Sequence, residues 1–427
     1  GGSSYYGMDI SNPAAPKLMW HIDASTAGFG ELGQSWSQPK VGNSMLHIEG
    51  SKAKPVLFFG GGYDPSKDNA GPGSPDSVGR AVYMVKAEDG NQILWSMAPS
   101  GGTTTFSGTD SIPSSIGILD SDGDGLVDRL YTGDTGGNLW RVDMPGNKPT
   151  GGTTPWSVFK LASLGGGTNE TDRRFFNEPS IVRTFIMETI QTEIKDEHGN
   201  VIKTEIEQQE KPYDAVLIGS GDRSNPIGTD TNDIFFMIKD ENIKTESFPR
   251  ATTPPTPIAK TIADLHDFTD NPFGKTMTTQ EREKLALEVS GKSGWFVDYS
   301  QSGEKTSSAA IVINGVAYFT SYTPPQSGAE LIDCRPPTGA GWLYAMDLSL
   351  GTKIYNWSEI AGNREDRISY ISEQYLGSPT LIVIPEDDGD PETPNEAKGN
   401  IIVGRTIIPV GFSLQTLRTY LYITEDQ

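Results

Sequence analysis

The sequence predicts an all-β protein, a propeller of four-stranded antiparallel blades, and three observations carry that prediction. Its 427 residues include 49 Gly and 29 Pro beside 15 Tyr, 16 Phe and 8 Trp. That is more turn chemistry than a helical protein carries and more aromatic core than a disordered one holds. A unit of strand, turn and second strand ending in Trp recurs along the chain, and a further pair of short strand patterns precedes each full copy. Four antiparallel strands per repeat is the make-up of a propeller blade.

The fullest copies are YYGMDI at 5–10 with PKLMW at 16–20, AVYMVK at 81–86 with GNQILW at 90–95, and GWLYAMD at 341–347 with GTKIYNW at 351–357. GNLWRVD at 137–143 and DIFFMI at 233–238 repeat the first half. The preceding strands fall at 55–60, at 115–119 with 129–133, at 215–219, and at 309–313 with 316–321. Four complete units fit between about residues 36 and 358, while the leading pair at 4–22 lacks upstream strands and 377–383 with 400–404 offer two more. Repeats of roughly 60 residues exceed the ~40 to 50 usual for propeller repeats, and the excess falls in loops.

Two insertions interrupt the fourth unit, at about 184–212 and 250–290. Residues 184–207 alternate apolar and polar side chains around DEHGN at 196–200, the pattern of a long β-hairpin projecting from the body. In the second insertion Thr278 and Glu281 form a capping box ahead of a short helix running to about residue 288. Excursions of this kind carry recognition more often than core packing.

The chemistry concentrates in LDSDGDGLVD at 119–128. Asp120, Asp122 and Asp124 stand at loop positions 1, 3 and 5, Gly125 at position 6, Leu126 at position 7 and Asp128 at position 9. That spacing matches most of a calcium loop: carboxylates at 1, 3 and 5, glycine for the sharp turn, and a backbone carbonyl at 7. Two carboxylates about 4 Å apart repel by roughly 4 kcal/mol at an effective dielectric near 20, so four convergent ones need a cation. The flanks read as strands and position 12 is Tyr131 in place of a bidentate Glu. The expected site is therefore a calcium loop between strands, with ligands Asp120, Asp122, Asp124, the Leu126 carbonyl and Asp128, completed by water. A second acidic loop, EDDGD at 386–390, runs straight into PETP and reads as solvated.

Composition excludes several classes. A net charge of −22 repels nucleic acid and anionic lipid while favouring cations. No apolar run long enough to span a membrane occurs. With Cys334 as the single cysteine, neither an internal disulfide nor a Cys-based zinc set can form. His21, His47, His198 and His266 are scattered outside any catalytic or metal motif and read as surface or satisfied side chains. No catalytic constellation stands out, so the chain reads as a binding module. It starts at Gly1 in a strand pattern, so residues 1–427 read as a single propeller domain cut from a longer chain.

Two blocks carry a resemblance. YYGMDISNP at 5–13 with PKLMW at 16–20, and the 120–128 loop followed by YTGDTGGNLWRVD at 131–143, are similar to the signatures of the C-terminal domain of PilY/PilC-type type IV pilus tip proteins. The resemblance implies a modified seven-bladed propeller holding calcium on Asp120, Asp122, Asp124, Leu126 and Asp128. It also implies a role at the bacterial surface or fimbrium in pilus biogenesis, calcium-regulated extension and retraction (twitching motility) and adhesion to host cells. The implied partners are the minor pilins of the pilus tip and a host receptor. The chain lacks an RGD tripeptide. The alternative is a quinoprotein dehydrogenase propeller, whose blades share the Trp pattern but whose vicinal disulfide a lone Cys334 cannot supply. An integrin-like propeller would repeat the calcium loop, which here occurs once.

Overall fold

Short turns join most successive strands, so sheets form from sequence neighbours and stack one after another. The structure is a computed structural model that describes residues 2–196, 198, 201–248, 256–325, 338–360, 362–386 and 396–410. In the first sheet β1 (Ser4–Asp9) pairs with β2 (Lys17–Asp23). The second runs in chain order through β3 (Lys40–Glu49), β4 (Lys52–Gly60), β5 (Val82–Lys86), β6 (Ile93–Ala98) and β7 (Thr104–Thr105). The third contains β8 (Gly117–Leu119), β9 (Arg129–Gly133), β10 (Asn138–Asp143) and β11 (Ser157–Ser163). The fourth holds β12 (Ser180–Lys195), β13 (Val201–Gly219), β14 (Ile234–Asp240), β15 (His266–Asp267) and β16 (Gly294–Asp298), with β15 outside β16. In the fifth, β17 (Lys305–Thr306) and β18 (Ile311–Ile313) both join β19 (Val316–Thr323), followed by β20 (Ala340–Asp347) and β21 (Ile368–Ser372). The sixth is β22 (Thr380–Glu386), β23 (Glu396–Val403) and β24 (Thr406–Pro409). Strands β7 and β15 join in parallel and the remaining pairings are antiparallel.

This is the propeller that the repeats predict. Sheets two to five are complete blades, and among the described residues five apolar cores lie between consecutive sheets. The described residues form six sheets, where the resemblance implies seven blades. Strand burial explains why the inner strands lack a polar face: Ile234–Asp240 is buried at every position, because both faces of the sheet meet another blade.

The recurring Trp has a physical reason. Trp20, on the last strand of the first sheet, donates its indole N–H to the Ala87 carbonyl (3.0 Å) in the β5–β6 turn of the next. Trp295, on the fourth sheet, does the same to the Leu348 carbonyl (2.8 Å) just past β20 of the fifth. Trp95, on the second sheet, packs 5.4 Å from Trp156, which lies between β10 and β11 of the third. Each indole therefore seals its blade against the turn of the following one. Gly7 and Gly90 lie on the Trp20 ring, where an added Cβ would sit 2.3 and 2.7 Å from ring atoms.

Two local expectations differ in outcome. The capping box is formed: Thr278 Oγ1 accepts from the Glu281 N–H (3.3 Å), Glu281 Oε2 accepts from the Thr278 N–H (2.8 Å), and α1 runs Thr279–Ser290. The strand expected at 351–357 is replaced by a 3-10 turn, Trp357–Glu359, and Ile368–Ser372 becomes the outer strand of that blade. The cause is side-chain competition for the backbone. Asp366 accepts from the Ser358 N–H (2.9 Å), Ser358 Oγ (2.6 Å) and Lys353 Nζ (2.6 Å), folding the segment back while Trp357 still reaches the core.

Candidate metal site

The 120–128 loop joins β8 to β9, whose last and first residues, Leu119 and Arg129, face each other across the ladder. Its two glycines, Gly123 (φ 81°) and Gly125 (φ 86°), take left-handed conformations that side chains resist. The carboxylates fold the loop around themselves. Asp120 accepts from the N–H groups of Gly123 (2.7 Å) and Gly125 (2.8 Å), Asp122 from Asp124 (3.2 Å), and Asp124 from Leu126 (2.8 Å). Turned inward by these bonds, Asp120, Asp122 and Asp124 each offer an oxygen within 4.8 Å of the others. Asp122 and Asp124 are exposed and Asp120 is partly so, and among the described residues no Lys or Arg pairs with any of them. Three carboxylate oxygens with no nitrogen or sulfur make the hard donor set that calcium takes.

The other two predicted ligands stand differently. Asp128 is buried and turned to Ser121, accepting from its N–H (3.2 Å) and Oγ (2.7 Å), and burial raises its pKa above the ordinary carboxylate value. It lies outside the three-carboxylate cluster. Leu126 donates its N–H to Asp124 as it enters the final turn of the loop. The loop is then pinned to the second blade, where the Val127 N–H donates to the Asn43 carbonyl (2.9 Å) and Asn43 Nδ2 to the Gly125 carbonyl (3.3 Å).

Beneath the loop lies a buried charge network that the sequence did not disclose. Arg129 Nη1 pairs with Asp214 (2.7 Å) and Arg141 Nη1 with Asp240 (2.7 Å), both across to the fourth blade. Arg183, at the root of the β12–β13 hairpin, pairs with Asp214 (2.8 Å) and donates to the Ser121 carbonyl (3.2 Å). Ser121 Oγ also lies 3.2 Å from Thr245 Oγ1. Ser121 thus touches Asp128, the hairpin root and the 240s segment together. The regular spacing of arginine and aspartate on β9, β10, β13 and β14 was the available signal, but which of them meet is decided between blades.

His47, expected as a surface or satisfied side chain, is instead buried, with neither ring nitrogen hydrogen-bonded among the described residues. His21 and His266 lie beside Asp23 and Glu288 at 3.9 and 3.6 Å, and His198 is exposed near the hairpin tip. A polar recess of about 150 Å³ holds Arg174 between Asp172 (2.8 Å) and Asp222 (2.9 Å), and Lys305 donates to the Gly228 carbonyl (2.7 Å). Those charges satisfy one another. Cys334 and residues 387–390 of the second acidic loop lie outside the described residues.

Residues 1–159 match the family model of the PilY1 beta-propeller domain. The chain is 22% identical over 368 residues to a type IV pilus biogenesis factor PilY1 homolog of Xylella fastidiosa, covering 82% of this chain and 21% of that protein. It is 30% identical over 148 residues to PilY1 of Pseudomonas aeruginosa, covering 35% of this chain and 11% of that protein. The crystal structure of the P. aeruginosa PilY1 C-terminal domain superposes with a TM-score of 0.56 at 17% identity, covering 96% of this chain and 79% of that one. Over residues 1–159 the chain resembles the PilY1 beta-propeller domain, and the relatives it is similar to are PilY1-type proteins. It spans about a fifth of the Xylella relative's length and about a tenth of the Pseudomonas one's. The PilY1-type match takes in the first sheet, the first complete blade and the 120–128 loop, and the structural likeness extends the propeller over the rest. Among the described residues no helix is long and apolar enough to cross a membrane.

Proposed function

We propose that this PilY1-type propeller binds one calcium ion and serves the type IV pilus as a calcium-responsive protein-binding platform without a catalytic centre. Asp120, Asp122 and Asp124 would hold the ion, joined by the Leu126 carbonyl, Asp128 and water. The observation that carries the reading is the convergence within 4.8 Å of three carboxylates, without a cationic partner among the described residues, on a loop of calcium-loop spacing. The curated relatives, described as pilus biogenesis factors, support the pilus setting. In this reading the protein acts at the fimbrium and cell surface in biogenesis, in extension and retraction, and in adhesion to host cells. Its partners are minor pilins of the tip complex and a host receptor.

Calcium response follows from where Asp128 stands. To ligate the ion it must give up Ser121, and Ser121 is bonded in turn to Thr245 and Arg183 at the hairpin root. Ion binding would then alter the contacts that set the hairpin, the element best placed to meet a partner. With three firm carboxylates and no bidentate Glu, affinity falls in the micromolar to millimolar range, on the order of extracellular calcium.

Calorimetric titration with calcium chloride tests the site: one equivalent is expected in the wild type and none in Asp124→Ala. Equal binding in both would place the ligands elsewhere. For the pilus role, a strain carrying Asp124→Ala in the full-length gene should keep its protein level but lose calcium-dependent twitching, and unchanged piliation and motility in a deletion strain would remove the reading.

A further inference from the structure

The register of β3 against β4 shifts between Asn43 and Ile48, so residues 44–47 bulge off the ladder. The bulge turns His47 inward until only 4% of it is exposed. Among the described residues neither Nδ1 nor Nε2 of the ring finds a hydrogen-bond partner, an unusual state for a buried imidazole. Nε2 lies 3.2 Å from Glu88 Oε1, a carboxylate on the β5–β6 turn. Glu49, at the end of β3, brings a second carboxylate, and the ligand atoms of all three residues lie within 4.8 Å of one another.

We propose that His47, Glu49 and Glu88 form a second cation site, one that takes a divalent transition ion of the zinc class. Imidazole with carboxylates is a donor set that zinc accepts, whereas calcium prefers oxygen alone, so this site and the 120–128 loop select different ions. A tetrahedral ion with ligands at about 2.0 to 2.2 Å holds any two donor atoms about 3.3 to 3.6 Å apart. The His47 to Glu88 separation of 3.2 Å is already close to that of two ligands on one centre. Glu49 completes the set by leaving Lys54, with which it makes an exposed contact of 3.3 Å worth little in water. Water takes the fourth position. The ion would satisfy the buried nitrogen and clamp the β5–β6 turn to the end of β3. That turn is the one Trp20 caps from the first sheet, so the metal would stiffen a joint between two blades.

Titrating the 427-residue chain with zinc chloride in calcium-saturated buffer is the experiment. One equivalent should bind to the wild type and to Asp124→Ala, and its affinity should fall at least tenfold in His47→Gln and in Glu88→Gln. The proposal is overturned if the wild type takes up no zinc, or if uptake is unchanged in Glu88→Gln. Glu88 is an exposed turn residue, so that variant decides the matter even where His47→Gln fails to fold.

Discussion

At the residue scale, the GDTGGNLW signature is a knot of hydrogen bonds around one carboxylate. Asp134 accepts from the N–H groups of Gly136 (2.9 Å) and Asn138 (2.8 Å), from Asn138 Nδ2 (2.9 Å) and from Trp140 Nε1 (2.7 Å). Asp134→Ala leaves those buried donors without a partner, each costing about 1 to 3 kcal/mol, so the variant should lose at least about 3 kcal/mol in urea unfolding. A loss below about 1 kcal/mol would show that water replaces the carboxylate. The metal loop divides in the same way. Asp128 is a buried anchor and Asp124 an exposed candidate ligand, so in calcium-free buffer Asp128→Ala should lower stability by about 1 to 3 kcal/mol and Asp124→Ala by no more than about 0.5. Equal effects would contradict that division. The three outer aspartates were legible because loop spacing alone sets them. The orientation of Asp128 was not, because Ser121 competes for it and Ser121 is held from Thr245, 124 positions away. His47 was read as unremarkable for a similar reason: its burial comes from a bulge that no periodicity announces.

At the scale of elements, alternation made the hairpin visible, and its register shows how far it leaves the sheet. Strand β13 pairs with β14 over Asp214 to Gly219 but with β12 from Val201 to Leu217, so the outer part is a two-stranded ribbon. Such ribbons contribute little to the stability of a body from which they project. Joining Ile186 to Lys211, partners in the ladder, through an Asn-Gly turn should therefore keep the melting temperature within about 2 °C and leave calcium binding intact. In cells the same deletion should abolish pilus function if the hairpin is the docking element, and normal twitching would assign docking to another surface. The helix was legible because a capping box is a local device. The outer strand of the fifth blade was not. Trp357 kept the place in the core that the repeat demands, yet Asp366 bent the backbone there, and an acidic residue nine positions past a Trp carries no strand signal.

For the whole molecule, the fold reads as a stack because apolar cores lie between consecutive sheets, and the charge it carries makes stability depend on pH. Burial, together with nearby Asp110, pushes the Asp134 carboxyl up to about 6, and burial likewise pushes Asp233 up to about 6. An unfolded aspartate titrates near 3.9, so between those values the folded state binds more protons than the unfolded. The stability these two groups contribute is fully present below about pH 4 and is lost as pH rises through about 6. From pH 5 to 7 that amounts to about 1 kcal/mol each. The net charge of −22 acts in the same direction, since protonation relieves self-repulsion. His266 opposes it, because burial lowers its pKa, but that single side chain is partly exposed and screened. Asp64, where the cost of burial is outweighed by bonds from Ser77 and Ser66 that pull its carboxyl down to about 2, keeps its contribution throughout this window and loses it as pH falls from about 4 through about 2. The urea midpoint in EDTA should therefore be higher at pH 5 than at pH 7, and the difference should shrink in an Asp233→Asn variant. EDTA is required because calcium on the proposed loop would add its own stabilisation, which would weaken as acid protonates the loop and so mask the sign. A midpoint that falls on acidification would mean that Asp134 and Asp233 are held ionised by their hydrogen-bond donors.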